Sequence, residues 1–159
     1  MDNIVEDIFQ ALKQNKGTLS IAESCTGGFL SHLITNVDGS SEFFKGGFVN
    51  YGVESKIRDL NIDPEIIKRY TVYSKEIAEA MAESIKQIFG SSIGLSTTGI
   101  APPGDAESTE KTGKIWIGIA SDYKTTSTVK IIETNERQEF KEKSAQIALE
   151  FLKHELTKT

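Results

Sequence analysis

Cysteine occurs once in this chain of 159 residues, at Cys25, so internal disulfides and a cysteine-rich zinc site are excluded. Histidine occurs twice, as His32 and His154, at unrelated places that give no metal-ligand spacing. No apolar run approaches the length of a membrane span. The first residues, Met-Asp-Asn-Ile-Val-Glu-Asp, lack the charged-then-apolar order of a secretory signal. Neither phosphate fingerprint, G-x-G-x-x-G or G-x-x-x-x-G-K, is present. Positive charge is in deficit: 18 Lys and Arg face 23 Asp and Glu, a net charge of -5. That balance excludes a general nucleic-acid or membrane-surface binder while leaving room for a local basic pocket. The expectation is one cytoplasmic domain over residues 1–159, with no metal site, no membrane contact and no direct nucleic-acid contact.

What is present concentrates in one stretch, Leu19-Ser20-Ile21-Ala22-Glu23-Ser24-Cys25-Thr26-Gly27-Gly28. An apolar alternation runs into a small, polar, glycine-rich turn, and Phe29, Leu33, Ile34 and Val37 follow at helical spacing. This predicts a strand, a sharp turn and a helix start. The first N–H groups of a helix have no internal partner and carry the positive end of its dipole, so they attract anions. Gly27 and Gly28 leave no Cβ to block approach to those amides. The same residues also describe a capped helix N-terminus, with Ser24 or Thr26 as the cap.

The rest of the chain alternates helices and strands. A helix is expected from Asn3 to about Lys16, ended by Gly17, and a strand from Thr18 to Ala22, with the next helix running to about Asn36. A helical turn at Ser41 to Lys45 precedes a strand from Gly46 to Tyr51. Glu54 to Leu60 reads as a short helix, and Pro64 opens another that ends near Tyr70. Ser74 caps a helix from Lys75 to Phe89, with Ile77, Met81, Ile85 and Ile88 or Phe89 inward. A third strand, Ser92 to Thr97, leads into a long loop from Ile100 to Thr112. Lys114 to Ala120 and Thr125 to Ile132 form a hairpin, and a helix from Arg137 to Leu156 closes the chain with Phe140, Ala145, Ala148, Leu149 and Leu152 inward. The fold class is α/β, with helices on both sides of a mixed sheet.

Two of these strands end in Ser/Thr/Gly segments, at Ser24 to Gly28 and at Thr98-Gly99, and ligands favour the carboxyl ends of parallel strands. Tyr51 and Lys56 follow the strand that lies between them in sequence. A serine is a weak nucleophile until a base takes its proton. Without a useful histidine the candidate bases are lysine, tyrosine or a carboxylate. A lysine partly buried in such a pocket can lose its charge near neutral pH, which makes Lys56 the choice for that base.

The ordered series Ala22 to Gly28, then Gly47-Phe48-Val49-Asn50-Tyr51 with Glu54 and Lys56, then Thr98-Gly99-Ile100-Ala101-Pro102, then Gly113, resembles the CinA C-terminal domain family over nearly the whole chain. That family includes stand-alone nicotinamide-nucleotide amidases of the PncC type. The resemblance implies a three-layer α/β/α fold with a five-stranded mixed sheet, mostly parallel, and a homodimer. It also implies hydrolysis of the carboxamide of nicotinamide mononucleotide, with Ser24 as nucleophile and Tyr51, Lys56 and Thr98 around it. Where the family has Gly-Ile-Ala-Gly-Pro-Gly-Gly, the chain has Gly99-Ile100-Ala101-Pro102-Pro103-Gly104-Asp105, departing at Pro102 and Asp105. Asn135-Glu136-Arg137 and Lys141 stand where the family often has Gly-Asp-Arg and a second arginine.

The expected mechanism has Lys56 deprotonate Ser24, amides around Thr26, Gly27, Gly28 and Gly99 serve the oxyanion or the phosphate, and Tyr51 or Thr98 assist by hydrogen bonding. Arg137 is the basic candidate for the phosphate. The chemistry needs no cofactor, and the implied partner is a small pyridine nucleotide. Two rival readings are a non-catalytic protein linked to competence or recombination, and a nucleotide-binding regulator without turnover.

Overall fold

Five strands form one sheet, and the first of them lies inside it. Strand β1 (Leu19–Glu23) pairs parallel with β2 (Phe44–Val49) on one side and with β3 (Ile93–Gly99) on the other. The hairpin of β4 (Lys114–Ala120) and β5 (Thr125–Ile131) extends the sheet antiparallel beyond β3, giving the order β2-β1-β3-β4-β5. The computed structural model describes residues 2–158.

Helices cover both faces of this sheet. On one face lie α1 (Asp2–Gln14), α2 (Phe29–Thr35) and α6 (Arg137–Thr157), which close over Leu19, Ile21, Leu95, Ile115 and Ile117. On the other lie α3 (Val53–Leu60), α4 (Pro64–Tyr70) and α5 (Lys75–Phe89), with Ile77, Met81 and Ile85 turned inward against Ala22 and Leu60. The three-layer α/β/α arrangement follows from the period-two alternation of the strands. Leu19, Ile21 and Leu95 face the first layer. Ser20, Ala22, Gly94 and Ser96 face α5.

Those small residues let α5 approach the sheet closely. Ser96 Oγ donates to the Ala78 carbonyl at 2.5 Å, and a Cβ on Gly94 would stand 2.0 Å from the Ala82 carbonyl oxygen. The caps agree with the sequence: Ser74 accepts from the Ile77 N–H at 3.3 Å, and Asp63, just before Pro64, accepts from the Glu65 N–H at 2.9 Å. Ile88 differs from the rest of its helix, since it is exposed and Phe89 packs inward instead.

Two strand boundaries move, with consequences for the site. The short 3-10 turn lies at Ser40–Glu42 and ends before Phe44, so β2 begins earlier than expected and stops at Val49. Asn50 and Tyr51 are thereby freed from the strand, although the Asn50 N–H still donates to the Glu23 carbonyl at 2.7 Å. Strand β3 continues through Thr98 and Gly99 because these residues pair with Trp116 and Ile115 of β4. No helix of the described residues is long and apolar enough to cross a membrane.

Candidate active site

Ser24 leaves the end of β1 and is fixed there by its N–H, which donates to the Thr97 carbonyl at 3.0 Å. Lys56 reaches it from α3. Within that helix Lys56 and Leu60 are one turn apart and both are buried, so the lysine occupies a position on the inward face. Lys56 is only 2% exposed, and its Nζ donates to Ser24 Oγ at 2.9 Å, to the Asn50 carbonyl at 2.7 Å and to the Tyr51 carbonyl at 3.4 Å. Among the described residues no carboxylate pairs with it. Burial without a counter-ion disfavours the ammonium and lowers the Lys56 pKa to about 8. The arrangement is a buried serine hydrogen-bonded to an amine whose proton is loosely held.

Cys25, next in the chain, does not compete for this role. Burial pushes its thiol up to about 12, and the opposing pull of the Lys56 charge is the smaller effect. It therefore stays protonated and unreactive as a nucleophile.

The turn after Ser24 is organised by a residue that sequence reasoning passed over. Glu23 is fully buried. One of its carboxylate oxygens accepts from Thr26 Oγ1 at 2.6 Å, the Gly28 N–H at 3.1 Å and the Leu30 N–H at 3.0 Å. The other accepts from the Ser31 N–H at 2.8 Å and Ser31 Oγ at 2.7 Å. The orphan amides at the start of α2 thus have an internal anion, as the dipole argument requires. Neither Ser24 nor Thr26 caps α2; its N-cap is Gly28, with no side-chain cap. Gly27 and Gly28 have φ of 56° and 95°, a conformation that side chains rarely adopt, and this fold of the turn brings the amides onto Glu23.

This changes the expectation for the glycine amides. The Gly27 N–H donates to the Ser24 carbonyl and the Gly28 N–H to Glu23, so both are engaged within the chain. Thr26 Oγ1 is likewise held between Glu23 and Thr97. Among the described residues no carbonyl or carboxylate oxygen accepts from the N–H of Cys25 or of Thr26.

Thr98 is a second departure. Successive residues of β3 point to opposite faces. Thr97 Oγ1 meets Thr26 Oγ1 at 2.8 Å, whereas Thr98 Oγ1 donates to the Val72 carbonyl at 2.7 Å on the α5 side and does not line the cavity.

Ser24 and Cys25 form the floor of a cavity of about 110 Å³ whose walls include Tyr51, Gly99, Ala101 and Arg137. Arg137 opens α6 and donates to the Pro102 carbonyl at 2.7 Å and to the Tyr51 hydroxyl. Tyr73, not singled out from the sequence, and Asp105, noted there only as a departure from the family pattern, complete the wall, and the Tyr73 hydroxyl donates to Asp105 Oδ2 at 3.1 Å. Burial, and then the neighbouring carboxylate, hold the Tyr73 phenol above its ordinary pKa, so it remains a donor. Lys141, one turn after Arg137 on α6, brings its ammonium 3.5 Å from where a Cβ on Gly27 would lie. A larger hollow, about 390 Å³, lies at the other end of the sheet beside Gly17, Ile93 and Ser121 and contains no hydroxyl bonded to a base.

A family model described as the CinA C-terminal domain matches residues 1–156. The chain belongs to the CinA family. The CinA-like protein of Dictyoglomus thermophilum is 44% identical over 117 residues, 74% of this chain and 28% of that protein. The CinA-like protein of Myxococcus xanthus is 35% identical over 149 residues, 94% of this chain and 35% of that protein. This CinA domain therefore spans about a third or less of the length of these relatives. Among solved structures, the competence or damage-inducible protein from Enterobacter asburiae superposes with a TM-score of 0.94 at 26% identity, covering 98% of this chain and 97% of that one. The α/β/α architecture of the CinA domain is thus shared by proteins of rather different sequence.

Glu23 did carry a sequence signal: an acid closing a strand that is otherwise buried must find partners. Tyr73 carried none, and Asp105 only its departure from the family pattern, since each reaches the cavity through the packing of its segment.

Proposed function

We propose that this chain hydrolyses the carboxamide of nicotinamide mononucleotide, giving nicotinate mononucleotide and ammonia. The observation that carries this reading is the buried contact of 2.9 Å between Lys56 Nζ and Ser24 Oγ. A neutral Lys56 takes the Ser24 proton as Oγ bonds to the amide carbon. The tetrahedral oxygen forms beside the N–H of Cys25, a cavity-lining residue whose amide has no internal carbonyl or carboxylate acceptor among the described residues. Collapse breaks the C–N bond, and the proton held by Lys56 leaves with the nitrogen as ammonia. Water then attacks the acyl-serine, losing its proton to Lys56, and the carbonyl carbon departs as the carboxylate while Ser24 Oγ regains a proton.

The size of the cavity supports binding one end of the substrate. At about 110 Å³ it is smaller than the roughly 300–1,000 Å³ typical for a whole drug-sized ligand. It admits the aromatic amide, and the ribose phosphate lies across the mouth, where Arg137 and Lys141 supply positive charge. Membership of the CinA family supports the same assignment.

The test is ammonia release from nicotinamide mononucleotide by the purified chain. Turnover in the parent chain that is lost in Ser24→Ala supports the amidase. Binding of the nucleotide without ammonia release would replace it with a regulator, and neither binding nor turnover would leave a non-catalytic protein.

A further inference from the structure

One cavity wall carries a side chain of each charge, and the two do not neutralise each other. Arg137 gives its N–H groups to the Pro102 carbonyl and the Tyr51 hydroxyl. Asp105 receives the Tyr73 hydroxyl at 3.1 Å and the Glu107 N–H at 3.0 Å. Neither has an ion-pair partner among the described residues, yet both line the same small cavity. Each is held in place by neutral partners, which fix direction without cancelling charge. A ligand carrying both signs, a few ångströms apart, complements such a wall.

The ring bearing the carboxamide of a pyridine nucleotide is alkylated at nitrogen and holds a permanent positive charge. The rings of Tyr51 and Tyr73 favour a cation over a neutral ring of the same shape. A carboxylate next to them adds to that preference.

We propose that Asp105, held by Tyr73, is the counter-charge by which this cavity selects an N-substituted pyridinium carboxamide over a neutral aromatic carboxamide. This rests on the amidase reading for the orientation of the amide toward Ser24. Asp105 acts on binding of the ring, and Ser24 and Lys56 act on the bond that breaks.

The experiment uses two probes of nearly identical shape, 1-methylnicotinamide, a cation, and 3-methylbenzamide, which is neutral. Their affinities are measured by calorimetry on the parent chain, Asp105→Asn and Tyr73→Phe. The parent chain binds the cation roughly three- to tenfold tighter, the range expected for a partly solvated charge pair with aromatic neighbours. Asp105→Asn brings the ratio close to one, and Tyr73→Phe, which keeps the carboxylate but frees it from the hydroxyl, leaves a smaller preference in the same direction. Because both ligands are measured on the same protein, the ratio is insensitive to any loss of folded fraction. An unchanged ratio in Asp105→Asn, or equal binding of the two probes by the parent chain, overturns the proposal. Charge preference without ammonia release removes the amidase reading alone; turnover without charge preference removes this one alone.

Discussion

Lys56 Nζ and Ser24 Oγ lie 2.9 Å apart although 32 positions separate them in the chain. The contact is made by two elements with independent reasons for their positions. Strand β1 ends at Glu23 inside the sheet, and α3 turns Lys56 and Leu60 inward on the same helical face. The amine has carbonyl oxygens around it and no carboxylate, so burial loosens its hold on the proton.

Ser24→Ala removes the attacking oxygen and leaves the turn intact, since the Ser24 main chain makes the bond to Thr97. Ammonia release from nicotinamide mononucleotide should fall at least ~100-fold, with the thermal unfolding midpoint little changed. Near-parental turnover in this variant would reject the nucleophile assignment.

The pH dependence follows from the lowered Lys56 pKa. Below about 8 the amine is largely protonated and cannot accept the Ser24 proton, so kcat/KM should rise with pH and level off above about 8. Lys56→Met abolishes the activity at every pH. The same variant should be at least as stable as the parent near pH 7, because it removes the cost of burying an ammonium that the unfolded chain keeps hydrated. A flat profile from pH 6 to 9 would exclude Lys56 as the base.

Glu23→Gln keeps the shape but turns an amide NH2 toward N–H donors that now face the carboxylate. Loss of charge-assisted bonds at a buried site costs roughly 2–4 kcal/mol, measurable by urea unfolding. Stability within 0.5 kcal/mol of the parent, on the order of a surface change, would show that the turn holds without this brace.

Thr98→Val separates two roles for one residue. With its hydroxyl on the Val72 carbonyl, the expected result is a loss of about 1 kcal/mol in stability with kcat kept within a few fold. A tenfold fall in kcat without a change in stability would return Thr98 to the catalytic group.

Arg137→Ala should raise KM for nicotinamide mononucleotide more than for the riboside that lacks the phosphate, while kcat changes less. Equal effects on the two substrates would remove the guanidinium from phosphate binding and leave it as a tie between Tyr51 and Pro102.

By itself the sequence determined the helices and strands and their succession along the chain. The period of two in Leu19 and Ile21, the period of 3.6 in Ile77, Met81 and Ile85, and the caps at Asp63 and Ser74 are local properties, and local sterics and burial are enough to fix them. It also marked Ser24 and Lys56 as chemically suited to each other. Only the tertiary structure decided which donors are spoken for. The glycine amides looked open because a helix N-terminus attracts anions, and the structure shows that anion to be Glu23 of the same chain. Thr97 and Thr98 are equivalent as letters, and only the pairing of β3 decides which face each hydroxyl takes. Asp105 and Tyr73 meet 32 residues apart on segments with no periodicity linking them, so their bond is set by how the loop packs above the sheet.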